Sequence, residues 1–331
     1  MTTIMEREAR EAPERIKEQL ADNQDIIRKI GGRIRSYRPE YVVTVGRGTS
    51  DHAGVFAKYL IEVELGLPVS SAAPSVASIY GRQMKLDKAL VLFISQSGRS
   101  PDILAQAEMA KKAGAFCVAL VNDETAPVGD IADAVIPLKA GQEKAVAATK
   151  SYLATLSALL QLVACWSENE GMLSDLNKLP GLLAQIIDGP AQLLPADFQD
   201  MANCVVLGRG FGFAISLEIA LKLKEVCAIH AEAFSSAEFF HGPVTLVEKN
   251  FTIVDMQVED ESAPFHRESM KEIKHRGACI LPMRLNGIDI HPRIAPLLLL
   301  QRFYLDVEKI AVALGGNPDS PPGLCKVTRT V

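Results

Sequence analysis

The pattern of apolar and polar positions divides the chain into short buried strands that alternate with helices. Four runs rich in β-branched or aromatic residues have the length of a strand, and helical patterns follow the first, the second and the fourth of them. They are YVVTVG from Tyr41, ALVLFIS from Ala89, FCVALV from Phe116 and DAVIPL from Asp133. This alternation indicates an α/β fold, in which helices flank a parallel sheet and the crossovers are right-handed.

The first 35 residues predict a helical segment ahead of this sheet. Their sequence mixes acidic and basic residues with isolated apolar ones, as in MEREAREAPERIKEQL. We expect the helix to be interrupted near Pro13 and near Gly31–Gly32. Proline removes a backbone donor, and glycine is a poor helix former.

The same elements recur in the second half of the chain. VVTVGRG at 42–48 is echoed by CVVLGRG at 204–210, and KKAGAFCVAL at 111–120 by KHRGACILPM at 274–283. FTIVDM stands where the second strand belongs, and a long apolar helix closes each half. These echoes predict an internal duplication. Its segments are an N-terminal helical segment over 1–35, a first domain over 36–167, a helical linker over 168–200, a second domain over 201–316 and a C-terminal tail over 317–331.

Charge and composition exclude several classes of function. The 331 residues carry a formal net charge of -5, whereas a broad nucleic-acid-binding surface needs a basic face. The longest apolar runs are too short to span a membrane, and the N-terminus lacks the apolar core of a secretory signal. The six cysteines form no CxxC pair, so we expect neither disulfides nor a zinc site. We therefore expect a cytoplasmic protein with no membrane or nucleic-acid partner.

The stretch FISQSGRSPDILAQ is a candidate anion site. A predicted strand ends at Ser95, and the polar donors Gln96, Ser97 and Ser100 follow it before a helix that begins with Pro101. Hydroxyl groups near a helix N-terminus, at the carboxyl end of a strand, can hold a phosphate. The alternative is a polar turn in which Ser100 only caps the helix.

A second candidate loop, VGRGTSDHAG, contributes Thr49 and Ser50. It begins like a dinucleotide-binding motif, but Asp51 stands where the third glycine belongs, and Phe213 stands there in the second half. No G-x-x-x-x-G-K-[ST] motif is present either. We therefore expect no nucleotide cofactor. The two loops together suggest a monoester phosphate held by neutral donors.

An apolar helix in the second half carries charges on one stripe. Glu218, Lys222 and Glu225 are spaced four and three residues apart. Such a stripe is either a structural ion pair or the site of a proton transfer. The segment that follows the helix, HAEAFSSAEFFHGP, adds histidines and carboxylates, which favours the proton-transfer interpretation. The alternative for any one of these histidines is a place in the core. No spacing typical of a metal site appears.

These motifs resemble the double-SIS (sugar isomerase) family, and in particular the isomerase half of glucosamine-6-phosphate synthase. The matching motifs are MEREAREAPERI, GRGTS, SQSGRSPD, AVAATKSY, ALKLKE, IHAEAFSSAEFFHGP and GLCKVTRTV, which run in order from about residue 5 to the end. The resemblance implies two tandem SIS domains, each a parallel sheet flanked by helices. It also implies a homodimer and an active site shared between domains.

The resemblance also implies roles for individual residues. The sugar phosphate would be held by the two polar loops and by the AVAATKSY motif. Glu225 would move a proton between C1 and C2, with Lys222 close by, and Glu218 could be structural. His241 would open the sugar ring from the partner subunit, and Lys326 would form a Schiff base with the open ketose. The implied sugar and phosphate ligands are Thr49, Ser50, Ser95, Gln96, Ser97, Ser100 and Val146.

Departures from the synthase pattern guide the predicted reaction. The chain begins directly with the isomerase-like segment, so we expect no glutaminase domain to supply ammonia. Arg99 replaces an acid and Ala148 replaces a serine, which leaves the identity of the sugar open. The resulting hypothesis is a SIS-type glucosamine-6-phosphate deaminase. The alternatives are a plain aldose–ketose phosphosugar isomerase, a deaminase or deglycase for a related amino sugar phosphate, and a phosphosugar-sensing module.

Overall fold

The structure, a computed structural model, describes residues 2–248 and 250–326. It is an α/β protein with two parallel sheets flanked by helices, as the alternating pattern predicts. The first sheet has the order β2-β1-β3-β4-β5, and every pairing in it is parallel. Its strands are β1 (Tyr41–Val45), β2 (Val69–Ser71), β3 (Ala89–Ser95), β4 (Phe116–Val121) and β5 (Ala134–Pro137).

The second sheet has the order β7-β6-β8-β9 and is also parallel throughout. Its strands are β6 (Asn203–Gly208), β7 (His230–Ser235), β8 (Thr252–Gln257) and β9 (Cys279–Arg284). Both sheets begin in the same way, because the second strand in sequence pairs outside the first and the third pairs on its other side.

Helices precede, connect and follow the strands. Those up to residue 131 are α1 (Ile4–Asp22), α2 (Gln24–Tyr37), α3 (Thr49–Leu65), α4 (Ser75–Ser78), α5 (Pro101–Lys112) and α6 (Pro127–Ile131). The remaining ones are α7 (Lys150–Ser167), α8 (Glu170–Leu176), α9 (Leu179–Asp188), α10 (Phe211–Cys227), α11 (Ala263–His275) and α12 (Ala295–Ala313). Short 3₁₀ turns lie at Pro195–Phe198, Glu238–His241 and Pro243–Leu246.

The chain divides into two compact units, each containing one sheet. The first unit comprises residues 12–143, 150–180 and 325–331, and the second comprises residues 1–11, 144–149 and 181–324. In the first unit, all seven residues of β3 and all six of β4 are buried, as their continuous apolar runs require. In the second unit, α10 packs against α12 and carries buried residues along most of its length.

Two edge strands, β2 and β7, are not predicted by the sequence pattern. β2 has only three residues, and β7 reads HAEAFS, with exposed polar residues at its start. Each of them pairs with the first strand of its sheet, as Val42 with Val69 and Val205 with Glu232 show. An edge strand is held mainly by its backbone, so its side chains need not follow an apolar pattern.

The predicted break at Pro13 is wrong. α1 continues through the proline, and the helices separate at Asn23 instead. Because Pro13 has no N–H, the carbonyl of Ala9 loses its helical donor. Gln301 Nε2 donates to that carbonyl at 3.0 Å, so the buried oxygen keeps a partner.

The predicted break at Gly31–Gly32 is also wrong, because α2 runs through both glycines. Gly31 lies against α7, where an added Cβ would be 3.3 Å from the backbone of Cys165. The glycine therefore permits a close approach of α2 and α7 within the first unit, at the cost of some helix propensity.

No helix within the described part of the chain combines the length and apolar character needed to cross a membrane.

Candidate active site

The two polar loops predicted to hold a phosphate leave neighbouring strands of the first sheet. β1 and β3 pair in parallel, with Val45 opposite Phe93, so their carboxyl ends lie at the same edge. Thr49 and Ser50 open α3, directly after β1. In the part of the chain that the structure describes, the hydroxyl of Ser50 forms no hydrogen bond with protein. It is therefore available to a ligand at a helix N-terminus.

The loop after β3 is held by hydrogen bonds within it and to the residue that follows β4. The N–H of Gly98 donates to Ser95 Oγ at 3.1 Å, and the N–H of Asn122 donates to the carbonyl of Gln96 at 3.1 Å. Gly98 has φ +59°, and an added Cβ would lie 2.5 Å from the Cβ of Ala126. Only glycine fits there, so this position restricts the conformation of the loop.

Ser100 is the N-cap residue of α5, as predicted, with Pro101 in the first turn. Its side chain makes no capping hydrogen bond, however, and neither Ser97 nor Ser100 donates to another protein group among the described residues. The capping interpretation therefore does not account for these hydroxyls. They lie at the N-terminus of α5, at the edge where a phosphate is predicted.

An ion pair that the sequence analysis missed joins the two loops. Arg47 Nε donates to Asp102 Oδ2 at 2.9 Å, and the Asp102 side chain is 0% exposed. Arg47 lies in the GRGTS loop and Asp102 in the first turn of α5. The motif GRGTS and the motif SQSGRSPD each contain one partner, which is the only sequence signal for the pair.

Arg99, which departs from the synthase pattern, points to a neighbouring loop of the same unit. Its guanidinium donates to Asp123 Oδ2 at 2.7 Å and to Thr125 Oγ1 at 3.1 Å. Hydrogen bonds from Thr125 and from Arg99 lower the pKa of Asp123 to about 2. Asp123 therefore stays ionised and keeps Arg99 paired at neutral pH.

The charged stripe on α10 is a connected ion-pair network within the second unit. Lys222 Nζ lies 3.0 Å from Glu218 Oε1 and 2.6 Å from Glu225 Oε2. Lys222 and Glu218 are almost fully buried, whereas the Glu225 side chain is 22% exposed. Tyr304 Oη donates to Glu218 Oε1 at 3.3 Å. Glu218 is thus the buried end of the stripe, and Glu225 is the end that solvent can reach.

Lys222 is held in its charged form by this network. Burial alone would lower the pKa of its ammonium group, but the carboxylates of Glu218 and Glu225 outweigh burial and raise it. A lysine that remains protonated cannot be a base at neutral pH. It can instead fix the position of Glu225 and supply positive charge beside it.

The predicted histidine lies at the end of a short turn in the same unit. His241 closes the 3₁₀ turn Glu238–His241, and its side chain is exposed. His230 is also exposed and lies 3.7 Å from Glu232. Exposure excludes the interpretation of His241 as a satisfied core residue.

Lys326 is the last residue of the tail that the structure describes, and the remainder of the GLCKVTRTV motif lies outside the described residues. Its Nζ lies 2.9 Å from Glu143 Oε2, a carboxylate of the first unit that is 0% exposed. The sequence motifs assign Glu143 no role. Val146, in the second unit, donates its N–H to the carbonyl of Asp319 at 3.1 Å.

The corresponding loops of the second sheet carry different chemistry. Gly48 and Gly210 cap α3 and α10 with nearly identical backbone angles, φ 52° and 53°. Phe211 then stands in place of Thr49. The loop after β8 places three acids where the first sheet has neutral donors: Glu259, Asp260 and Glu261. Carboxylates repel a phosphate, so the first sheet is the better candidate for the anion site.

Comparison with known proteins agrees with the fold and with the motif analysis. Residues 37–165 match the model of the SIS domain. The chain is 30% identical over 337 residues to glutamine–fructose-6-phosphate aminotransferase [isomerizing] of Sulfurisphaera tokodaii, covering 98% of this chain and 56% of that protein. The enzyme of the same name from Tropheryma whipplei is 36% identical over 316 residues, with 86% and 51% covered. The chain thus spans about half the length of the curated relatives it matches.

Solved structures give matches over nearly the whole chain. A protein of Silicibacter pomeroyi, provisionally described as a phosphosugar isomerase, is 38% identical with a TM-score of 0.89, covering 96% of this chain and 100% of that one. The C-terminal domain of glucosamine-fructose-6-phosphate aminotransferase from Francisella tularensis is 26% identical with a TM-score of 0.84, with 97% and 99% covered. A glucosamine-6-phosphate deaminase of Thermotoga maritima, at 21% identity and a TM-score of 0.73, shares the fold over 96% of this chain and 100% of its own.

The two parallel sheets, together with the similar proteins and solved structures, therefore place the molecule among α/β proteins of the phosphosugar isomerase class. Within that class, the chain belongs to the SIS-domain family, and its curated relatives match it along their isomerase half.

Proposed function

We propose that the protein converts glucosamine 6-phosphate and water into fructose 6-phosphate and ammonia. The observation that carries this proposal is the Glu218–Lys222–Glu225 network, which leaves one carboxylate both accessible and fixed beside an ammonium group. An accessible, oriented carboxylate is what a proton transfer between adjacent carbons requires. The hydroxyl-bearing loops of the first sheet supply neutral donors for the phosphate.

The proposed reaction proceeds in four steps. Ser50, Ser97 and Ser100, with Thr49, Ser95, Gln96 and Val146, hold the sugar phosphate. His241 assists opening of the pyranose ring to the free aldehyde. Glu225 removes the proton from C2 and delivers it to C1, while O1 gains a proton and the nitrogen loses one, so the amino aldehyde becomes an imine at C2. Water then replaces nitrogen at C2, through a Schiff base with Lys326, and ammonia leaves.

The direction of the proposal follows from mass action. The same proton transfer would serve ammonia addition and ammonia release, since each step is reversible. Because water is present at a far higher concentration than free ammonia, the proposal takes the direction that releases ammonia.

A plain aldose–ketose phosphosugar isomerase is the second candidate. The relative at 38% identity is provisionally described as a phosphosugar isomerase. That reaction needs the same phosphate loops and the same carboxylate at Glu225, but it releases no ammonia.

The decisive experiment measures ammonia and ketose after mixing the purified chain with glucosamine 6-phosphate, galactosamine 6-phosphate or N-acetylglucosamine 6-phosphate. Ammonia and fructose 6-phosphate from the first substrate alone support the proposal. Ammonia mainly from the galacto substrate keeps the mechanism and changes the sugar. No ammonia from any of them, together with interconversion of glucose 6-phosphate and fructose 6-phosphate, favours the isomerase.

Substitution of Glu225 tests whether the charged stripe on α10 carries out the proton transfer. Glu225→Gln keeps the shape of the side chain but cannot accept a proton, so kcat should fall by about 10²–10⁴-fold with KM little changed. Glu232→Gln is the matched control, since Glu232 is an exposed carboxylate of the same unit. An unchanged kcat in Glu225→Gln would remove this residue from the mechanism.

The homodimer implied by the family resemblance and the cytoplasmic location expected from the composition belong to the same proposal. Sedimentation equilibrium of the purified chain tests the first. Fractionation of the source cells tests the second.

A further inference from the structure

Glu143 places a buried carboxylate directly against the lysine proposed to form a Schiff base. Lys326 Nζ and the hydroxyl of Ser151 contact the same oxygen, Glu143 Oε2, at 2.9 Å and 2.7 Å. The N–H of Ser151 donates to Oε1 at 3.1 Å. The Glu143 side chain is 0% exposed, and that of Lys326 is 25% exposed. The carboxylate is thus fixed at the start of α7, while the amine stays accessible.

The segment that carries Glu143 is held from both sides. The amide of Asn122, just after β4, donates to the carbonyl of Gly141 at 2.8 Å and accepts from the N–H of Ala140 at 2.8 Å. On the other side, Lys150 Nζ donates to the carbonyl of Gln142 at 2.7 Å. This segment connects β5 to α7 at the carboxyl edge of the first sheet, the edge from which the predicted phosphate loops leave.

A lysine can attack a carbonyl carbon only as a neutral amine, so Lys326 must lose a proton first. Loss of that proton to solvent would leave the Glu143 carboxylate buried without its counter-ion, which is strongly unfavourable. Transfer of the proton to Glu143 removes both charges at once and leaves a neutral, hydrogen-bonded pair. The direct contact between Lys326 Nζ and Glu143 Oε2 makes this transfer possible without an intervening water.

We infer that Glu143 is the proton-transfer partner of Lys326, an inference that rests on the proposed reaction of Lys326 with the ketose. Glu143 takes one proton from the ammonium group, and the freed lone pair of Nζ forms a bond to C2 of the open ketose. The carbonyl oxygen accepts a second proton from the attacking nitrogen to give a carbinolamine. Glu143 returns its proton to the departing hydroxyl, the C–O bond breaks, and water and a protonated Schiff base result. Hydrolysis runs through the same steps in reverse.

The experiment traps the Schiff base that forms with fructose 6-phosphate by reduction with borohydride. Intact mass and peptide mapping identify the modified lysine, and the trapping rate is measured for each variant. For Glu143→Gln we expect trapping at Lys326 to slow by about 10²-fold or more, with the dissociation constant of fructose 6-phosphate little changed. Glu143→Asp keeps the charge but withdraws the carboxylate by one methylene, so we expect an intermediate rate. Glu124→Gln is the matched control, because Glu124 forms a surface pair with Lys139 at 2.9 Å in the same unit.

The outcomes separate this inference from the proposed function. Wild-type trapping rates in both Glu143 variants would overturn it, whether or not ammonia is released. If the wild-type chain releases ammonia but gives no adduct at Lys326, the deaminase proposal stands and the roles of Lys326 and Glu143 both fail. If Glu143→Gln does not fold, as judged by its thermal melting, Glu143→Asp decides. Its rate should fall below that of the Glu124→Gln control, and an equal rate would overturn the inference.

Discussion

Arg47 Nε donates to Asp102 Oδ2 at 2.9 Å, and this bond ties the loop after β1 to the first turn of α5. Each of these loops carries hydroxyl groups proposed to bind the phosphate. Because Asp102 is fully buried, the pair fixes the spacing of the two loops before any ligand arrives. Such preorganisation reduces the entropy lost on binding.

Replacement of Asp102 by Asn should therefore weaken binding of the phosphosugar more than it slows the reaction. We expect KM to rise by about tenfold, equivalent to about 1.4 kcal/mol, while kcat changes little. Glu40→Gln is the control, since Glu40 and Lys88 form an exposed ion pair before β1 and β3, at the opposite end of the same strands. An equal effect of the two substitutions on KM would contradict the proposed role of the Arg47–Asp102 pair.

Glu218 should matter for stability more than for chemistry. Its replacement by Gln leaves the buried ammonium of Lys222 with one charged partner fewer, and we expect the free energy of unfolding to fall by about 3 kcal/mol. Tyr304→Phe removes the hydrogen bond of 3.3 Å to Glu218, so it should cost about 1 kcal/mol. Urea unfolding measures both values. A stable Glu218→Gln variant with little activity would instead place Glu218 in the reaction.

His241 should be needed only while the sugar is a closed ring. In deuterated water, His241→Asn should slow exchange of the C1 proton of fructose 6-phosphate by about 10²-fold. Exchange from 5-deoxyfructose 6-phosphate should be unaffected, because this analogue lacks the hydroxyl that closes the ring. His230→Asn is the control, since His230 is an exposed histidine of the same unit. Equal slowing with both sugars would show that His241 acts after ring opening.

The cysteines should divide into two reactive and four protected thiols. Cys279 and Cys325 are exposed. Burial raises the pKa of the Cys117, Cys204 and Cys227 thiols to about 12 and also raises that of Cys165. At pH 8 we expect rapid alkylation of Cys279 and Cys325 and slow alkylation of the others, as peptide mapping would measure. Rapid modification of four or more cysteines in the folded protein would contradict the described burial.

The raised thiol pKa values also predict the direction of the alkaline stability profile. In the unfolded chain these thiols ionise near pH 9, whereas in the folded protein they hold their protons up to about pH 12. Their contribution to the free energy of unfolding is fully present below pH 9 and is lost as the pH rises towards 12. Replacement of Cys204 by Ala should flatten this part of the profile. An identical alkaline slope in the variant would contradict the assignment to buried thiols.

The sequence by itself determined the central strands and the local chemistry of the site. The continuous apolar runs of β3 and β4 identify strands buried on both faces, and the spacing of Glu218, Lys222 and Glu225 places these residues on one stripe of a helix. Such features depend on residues within a few positions of one another. A periodic pattern therefore reveals them without knowledge of the rest of the fold.

Only the tertiary structure decided which distant groups meet. Glu143 and Lys326 are 183 residues apart, and no local pattern relates them. α1 continues through Pro13 because Gln301, almost 300 residues away, supplies the missing donor to Ala9. β7 is a strand because its backbone pairs with β6, although its side chains alone do not indicate one. In each case a partner from elsewhere in the chain stabilises a conformation or a charge that the local sequence leaves undetermined, and that partner is set by packing.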